Sequence, residues 1–426
     1  MATRGRILIV SLHARPEQTG NAPYVGSLAT GLAREGWRVR LLAAHPHYPQ
    51  WRVYDGYGQW TRTDIESGVR VDRLRHYVPS RPSALRRLAA EVSFGLRALT
   101  TRWGRPDAIV LVSPAMVSSS LAMIRARLLH PRTPTVVWVQ DLYGQGMSQT
   151  ATGGRFSRAL IARAEGRLLR AADRVVVIHR RFREIVLDRF GARGDRVAVV
   201  RNWSHLAACE PSAPPREVRA ARGWGDEIVV LHGGNQGVKQ GLENVVHAAR
   251  LADEREADVR FVLVGHGSRN AELRRAAEGV ERIEFIGPLD DGEYTAILAA
   301  ADVLLVNELP GVSDMAVPSK LTTYFRAGRP VLAATEPGSI TAEEVADADA
   351  GLRVHAARPD ALLDAALELG EDPAARARMG AAAQDYARRH LEESAAVAAF
   401  SRLLHEVVSA PADPDRLQPP DGRRTP

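Results

Sequence analysis

The sequence predicts an α/β protein of two doubly wound parallel-sheet domains that ends in a pair of helices. Three observations carry this. Short runs of Val, Ile and Leu recur along the 426 residues, separated by helical patterns, as parallel strands buried on both faces require. The runs fall into two sets, each long enough for a domain of ordinary size. A proline-rich stretch with no strand signal separates the sets.

In order, the first set is "RILIV" (6–10), "RVRLL" (38–42), "AIVLV" (108–112), "TVVWV" (135–139), "RVVVI" (174–178) and "VAVV" (197–200). Its first helix is "YVGSLATGLAREG", and the domain spans 1–203. Residues 204–226 hold three prolines close together and read as an inter-domain linker. The second set is "EIVVL" (227–231), "RFVLV" (260–264), "IEFI" (283–286), "VLLV" (303–306) and "PVLAA" (330–334), in a domain spanning 227–390. "AARARMGAAAQDYARRHLEESAAVAAFSRLLHEVV" reads as two helices. The second, 391–409, is expected to return to the first domain. The polar, proline-rich tail 410–426 is expected to be disordered. Ligands of such sheets bind at the carboxyl ends of the strands, so two domains set face to face make a cleft.

Composition narrows the function. Cys209 is the only cysteine, which excludes a disulfide framework and a cysteine-based metal site and fits a reducing cytosol. The first apolar run is too short for a signal peptide, and no run reaches the roughly 18 apolar residues of a spanning helix. A net charge of +7 and a pI near 9.9 point to an anionic partner. Nucleic acid is set aside, because neither zinc-finger spacing nor an aromatic–basic RNA motif occurs. Acidic lipid and a phosphorylated substrate remain.

Of 57 Lys and Arg residues, only Lys239 and Lys320 are lysines. Lysine is a compact point charge and arginine a planar fork. Lys239 sits in "GGNQGVKQGLE", between a strand and a helix. There Gly234, Asn235 and Gly237 let backbone N–H groups approach an anion at a helix N-terminus. The spacing is not that of a P-loop. Phosphate binding is favoured over an ordinary tight turn with a solvated lysine. Lys320 lies in "DMAVPSKLTTYF" (314–325), where Pro318 and Ser319 suit a helix start. A cation in that first turn opposes the helix dipole unless an anion is near. The alternative is an exposed lysine.

Gly265 belongs to "VGHGSRN" (264–270), which lacks the third glycine of a dinucleotide fingerprint. It reads as a tight turn near a nucleotide. Gly20 precedes the first helix. Asp141 follows a strand, where an Asp is more often a cap than a catalyst. No metal site is expected, since the "DAD" run (347–349) lies on a helical pattern. In "RPSALRRLAAEVSFGLRALTTRWGRP" (81–106), Leu85, Leu88, Val92, Leu96 and Leu99 share one helix face, with Arg81, Arg86, Arg87 and Arg97 elsewhere. Such a helix suits an anionic membrane interface, and core packing explains the leucines equally well.

The motifs "PEQTG", "PHYPQW", "YVPSRPSALRRL", "RNWS", "GNQGVKQGLENV" and "VPSKL…AGRPVLA" together resemble the retaining GT-B glycosyltransferases of family 4, in the colanic-acid-type, WbuB-like polysaccharide branch. The resemblance runs from about residue 5 to 405. It implies two facing Rossmann-like domains and transfer of a sugar from a UDP- or GDP-linked donor to a glycan or polyprenyl-linked acceptor. It also implies retention, with no cofactor and no essential metal. By the same resemblance Lys239 contacts the donor diphosphate, and Ser319 and Lys320 face its phosphates and sugar. Asp314 meets sugar hydroxyls, and Asp141 faces the reacting centre. Asn235 stands where the broader family has an arginine. Met315 and Thr323 stand where it has a Glu-x7-Glu pair, which puts Thr323 near the ribose. Related enzymes use lipid-linked acceptors, which places the protein in the cytoplasm, on the inner face of the plasma membrane. A nucleotide-sugar epimerase of the same architecture and a non-catalytic nucleotide-sugar or polysaccharide binder are the competing readings.

Overall fold

The computed structural model describes residues 4–18, 20–81, 83–142, 155–203, 211–311 and 319–410. The chain divides into two compact units, the first made of 1–201 with 393–426 and the second of 202–392.

Unit 1 contains β1 (Gly5–Ser11), α1 (Ala22–Arg34), β2 (Trp37–Ala44), β3 (Thr61–Glu66), β4 (Val69–Leu74), α2 (Ala84–Thr100), β5 (Ala108–Ser113), α3 (Met116–Leu129), β6 (Thr135–Val139), α4 (Arg155–Ala171), β7 (Arg174–Val177), α5 (Arg180–Asp188) and β8 (Val197–Val199). The sheet order is β3-β4-β2-β1-β5-β6-β7-β8. All pairs are parallel except β3 with β4. Central strands are buried along almost their whole length, as Ile7 to Val10 and Ala108 to Val112 show. Full burial of each such aliphatic side chain contributes roughly 1.5–3 kcal/mol.

Unit 2 contains α6 (Pro215–Arg222), β9 (Ile228–Gly233), α7 (Glu243–Glu254), β10 (Val259–Val264), α8 (Asn270–Ala276), β11 (Ile283–Ile286), α9 (Asp291–Ala300), β12 (Val303–Asn307), α10 (Ser319–Ala327), β13 (Val331–Ala334), α11 (Ile340–Asp347), β14 (Gly351–Val354), α12 (Pro359–Glu371) and α13 (Pro373–His390). Its sheet is wholly parallel, in the order β11-β10-β9-β12-β13-β14. Alternate residues feed two cores. Val229, Leu231, Val262 and Leu304 pack with Leu321, Tyr324 and Phe325, while Val230, Phe261 and Leu305 pack with Val245, Val246 and Leu362.

Every predicted run forms a strand. The antiparallel β3 and its partner β4 were not expected. β3 lies at the sheet edge, alternates exposed and half-buried positions, and has no apolar run. β4 buries charge instead: Asp72 accepts from Arg40 at 2.6 Å, and Arg73 pairs with Glu66 at 2.6 Å. The stretch read as a linker also differs. Within it α6 packs on α9, with Arg219 bonded to Asp302 at 3.0 Å and to the Glu227 carbonyl at 2.9 Å. Trp224 is buried there and donates to Glu284 at 2.8 Å. The prolines start this helix rather than prevent it.

The final helix α14 (Glu393–Ser409) belongs to unit 1. Trp37 Nε1 donates to Ser401 Oγ at 2.9 Å, and Trp138 meets Phe400 edge-on with ring centroids 5.1 Å apart. Of the tail, all residues after 410 lie outside the described residues.

Candidate active site

In unit 2, β9 and β12 are neighbours, although the chain passes from β9 to β10 on the other side. This is the topological switch point, where doubly wound sheets bind ligands at the strand carboxyl ends. The loop after β9 is sewn to the loop after β10. Gly234 N–H donates to the Val264 carbonyl at 2.9 Å, and Gln236 N–H to that of His266 at 3.0 Å. A Cβ on Gly265, whose φ is +119°, would lie 2.2 Å from the Gly234 carbonyl oxygen. Gly265 therefore serves the close approach of the two loops.

Lys239 sits in a single 3₁₀ turn (Val238–Gln240) and is half-buried. The turn is clamped to the end of β12. Leu309 N–H donates to the Lys239 carbonyl at 2.9 Å, and Asn307 Nδ2 to the carbonyls of Gln240 and Gly241 at 2.8 and 2.9 Å. Asn244 Nδ2 in turn donates to Asn307 Oδ1 at 2.8 Å. Gly237 N–H and Asn235 Nδ2 both reach Gln240 Oε1, at 3.0 and 3.4 Å. Among the described residues no carboxylate lies within salt-bridge distance of the Lys239 ammonium. A cation held on an ordered loop without an internal counter-ion is suited to an external anion.

Lys320 is not the exposed lysine of the alternative reading. Its Nζ lies 3.0 Å from His232 Nε2, at the end of β9. Burial pushes its pKa down to about 7, against the pull of Glu308. His232 is fully buried and is held well below the usual histidine range, first by desolvation and then by the Lys320 charge. Burial raises the Glu308 carboxyl, whose Oε1 accepts from Thr341 Oγ1 at 2.5 Å. Tyr324 Oη accepts from Gly233 N–H at 2.8 Å and closes the floor of the site. Neither His232 nor Glu308 stood out in the sequence. A polar residue ending an apolar run, as in "VVLHGG", was the one local signal.

Ser319 opens α10, and Thr323 lies in that helix, only 8% exposed. Asp314, Met315 and Pro318 fall outside the described residues. On unit 1, Asp141 follows β6, and its Oδ1 accepts from the Leu142 N–H at 2.8 Å. Gly20 is exposed just before α1.

The leucines of α2 do not make its buried face. Leu85, Leu88 and Leu96 are 78%, 43% and 52% exposed, whereas Ala90, Phe94, Gly95 and Ala98 are buried. Gly95 sits so close to α3 that a Cβ would lie 2.6 Å from Leu121. Val92 and Leu99 of the same stripe are half-buried, and core packing does not account for Leu85, Leu88 and Leu96. Arg81 and Arg86 are exposed, and Arg87 stands over the Trp51 ring at 5.2 Å. Arg97 is engaged internally, 3.8 Å from the Trp60 ring centroid and bonded to the Trp60 carbonyl at 2.9 Å. Among the described residues no helix is long and apolar enough to cross a membrane.

Two doubly wound units in one chain, with a cationic glycine-bounded loop at a switch point, are the arrangement of the GT-B class of glycosyltransferases. Residues 19–203 match the glycosyl transferase 4-like domain, and residues 227–372 match glycosyl transferases group 1. WcaI of Escherichia coli (strain K12), named as a glycosyl transferase of colanic acid biosynthesis, is 32% identical over 76% of this chain and 81% of its own. The fold is shared with sucrose-phosphate synthase from Thermosynechococcus elongatus, with a TM-score of 0.72 at 19% identity over 95% of this chain and 99% of that one. It is also shared with Anabaena Alr3699/HepE in complex with UDP-glucose, with a TM-score of 0.66 at 18% identity over 95% and 99%. The chain belongs to the family 4 GT-B glycosyltransferases, in the colanic-acid-type branch.

Proposed function

We propose that this glycosyltransferase moves a sugar from a UDP- or GDP-linked donor to a glycan or polyprenyl-linked acceptor, with retention, in polysaccharide or glycoconjugate biosynthesis. The observation that carries the reading is Lys239, a lysine without an internal counter-ion on a loop clamped at the switch point. The biosynthetic role named for WcaI and the UDP-glucose held by HepE support the product class and the donor class.

As the glycosidic C–O bond breaks, negative charge grows on the departing diphosphate. The Lys239 ammonium and nearby backbone N–H groups stabilise it electrostatically. Lys320 and the start of α10 add to this from the neighbouring strand end. Gly234, Asn235, Gly237, Gly265, Asp314, Pro318, Ser319 and Thr323 complete the donor side, with Gly20 and Asp141 on the acceptor side. Asp141 is assigned to orient the attacking hydroxyl, whose proton passes to the leaving phosphate oxygen. The diphosphate charge is met by these groups without a divalent ion.

The exposed leucines of α2, with Arg81, Arg86 and Arg87, dock unit 1 on anionic lipid at the inner face of the plasma membrane. This places a lipid-linked acceptor within reach of a protein otherwise in the cytoplasm.

The test is incubation with a panel of UDP- and GDP-sugars, with and without a polyprenyl-diphosphate-sugar acceptor, and proton NMR of the product's anomeric coupling. Transfer that keeps the donor configuration is expected. Inverted product contradicts retention, epimerised donor without acceptor makes the protein an epimerase, and no turnover makes it a binder.

A further inference from the structure

The loops at the carboxyl ends of β1 and β2 gather groups that the proposed transfer does not use. His13, Glu17 and His47 each present one ligand-type atom, and the three atoms lie within 4.8 Å of one another. The side chains of Glu17 and His47 are 1% exposed, and that of His13 is 22% exposed. Glu17 Oε1 accepts from the backbone N–H groups of His47 and Tyr48 at 2.7 and 2.9 Å, and Oε2 lies 2.7 Å from His13 Nδ1. The His13 and His47 rings are stacked, with centroids 5.3 Å apart and planes at 25°.

The two backbone bonds to Oε1 already tie the β1 loop to the β2 loop. The surrounding imidazoles exceed what that closure needs. His76 packs against His47 with ring centroids 4.8 Å apart. His47 Nδ1 lies 2.9 Å from the His45 carbonyl oxygen. A ligating histidine usually gives its other N–H to such an acceptor, which fixes the ring's orientation.

We propose that His13, Glu17 and His47 bind one divalent transition-metal ion of the zinc class, which clamps the β1 and β2 loops together. Two imidazoles and a carboxylate are a donor set of zinc and its neighbours. Magnesium and calcium call for oxygen donors throughout. Two ligands at 2.0–2.1 Å from a tetrahedral ion stand about 3.3–3.4 Å apart, so a pair separated by up to 4.8 Å must close by up to about 1.4 Å. The partly exposed His13 can supply that movement, and its exposure also leaves an access path and a water position. The site goes beyond the transfer reading and does not rest on it. The ion has no role at the diphosphate.

The test uses the untagged full chain, treated with chelator, dialysed and titrated calorimetrically with zinc chloride. Wild type is expected to bind a single tight equivalent. His13→Ala and His47→Ala should each weaken it at least about tenfold, while His405→Ala, at an exposed site on α14, leaves it unchanged. No saturable binding by wild type overturns the proposal. So does binding that either cluster variant leaves at full strength, or that His405→Ala weakens equally. If the cluster variants fail to fold, X-ray absorption of zinc-loaded wild type decides: two imidazole ligands are expected, and fewer than two overturn the site.

Discussion

Lys320 Nζ lies 3.0 Å from Nε2 of the fully buried His232, between the carboxyl end of β9 and the start of α10, and Lys320 itself is half-buried. Two protonated groups cannot share that contact, so the ammonium donates and the imidazole stays neutral. Among the described residues Glu308 also acts on this lysine, and burial keeps its carboxyl toward the neutral form.

Donor binding is expected to take up a proton at this lysine. With its pKa lowered to about 7, Lys320 is mostly neutral at pH 8 and mostly charged at pH 6. A diphosphate favours the charged form. Donor affinity should be flat below pH 6 and fall by up to about tenfold per unit above 7. Calorimetry at pH 8 in buffers of different ionisation enthalpy should report about one proton taken up per donor bound. A buffer-independent enthalpy at pH 8 would contradict the site.

The same lysine should cost stability. Its folded pKa of about 7 lies below the ordinary 10.5, so the unfolded chain binds the extra proton between those values. Wild-type stability therefore rises with pH across that window. Lys320→Met removes the burial penalty and should stabilise unit 2 by roughly 2–4 kcal/mol at pH 6, with the gain shrinking toward pH 10. Urea unfolding at the two pH values checks this, and a gain independent of pH would contradict it.

Gly265→Ala should loosen the donor loops. The added Cβ meets the Gly234 carbonyl oxygen, and the backbone φ of +119° is strained for alanine. A loss of about 1–3 kcal/mol in stability is expected, together with weaker donor binding. Unchanged donor affinity would separate this contact from the site.

The sequence carried the sheets because strands such as "RILIV" and "RFVLV" are buried on both faces and leave unbroken apolar runs. β3 and β14 escaped because edge strands need no such run. Lys239 and Lys320 were legible through their rarity. Asn307, which clamps the lysine turn from 66 to 67 residues away, and the His13–Glu17–His47 group depend on chain crossings that no local pattern encodes. The leucines of α2 matched a buried stripe by spacing, yet Ala90, Phe94, Gly95 and Ala98 face the core, and at Gly95 α3 approaches too closely for any side chain.

Liposome binding should divide the α2 arginines. Arg81, Arg86 and Arg87 changed together to Gln should weaken co-sedimentation with anionic vesicles, by about 1 kcal/mol per residue, in a salt-sensitive manner. Changing Leu85, Leu88 and Leu96 to Ser should weaken it at every salt concentration. Arg97→Gln should leave it near wild type, since that guanidinium is spent on Trp60. Equal binding by all variants would remove α2 from the membrane.

The central claim, that the Lys239 loop stabilises a departing diphosphate, is tested most directly by single-turnover transfer with the preferred donor in wild type and Lys239→Met. Loss of one such charge contact costs ~2.7–4 kcal/mol, so a fall of about 10²–10³ in rate is expected with the fold intact by circular dichroism. Lys239→Arg should also fall short, because the planar fork does not replace a compact ammonium. A folded Lys239→Met protein that transfers within about twofold of the wild-type rate would contradict the claim.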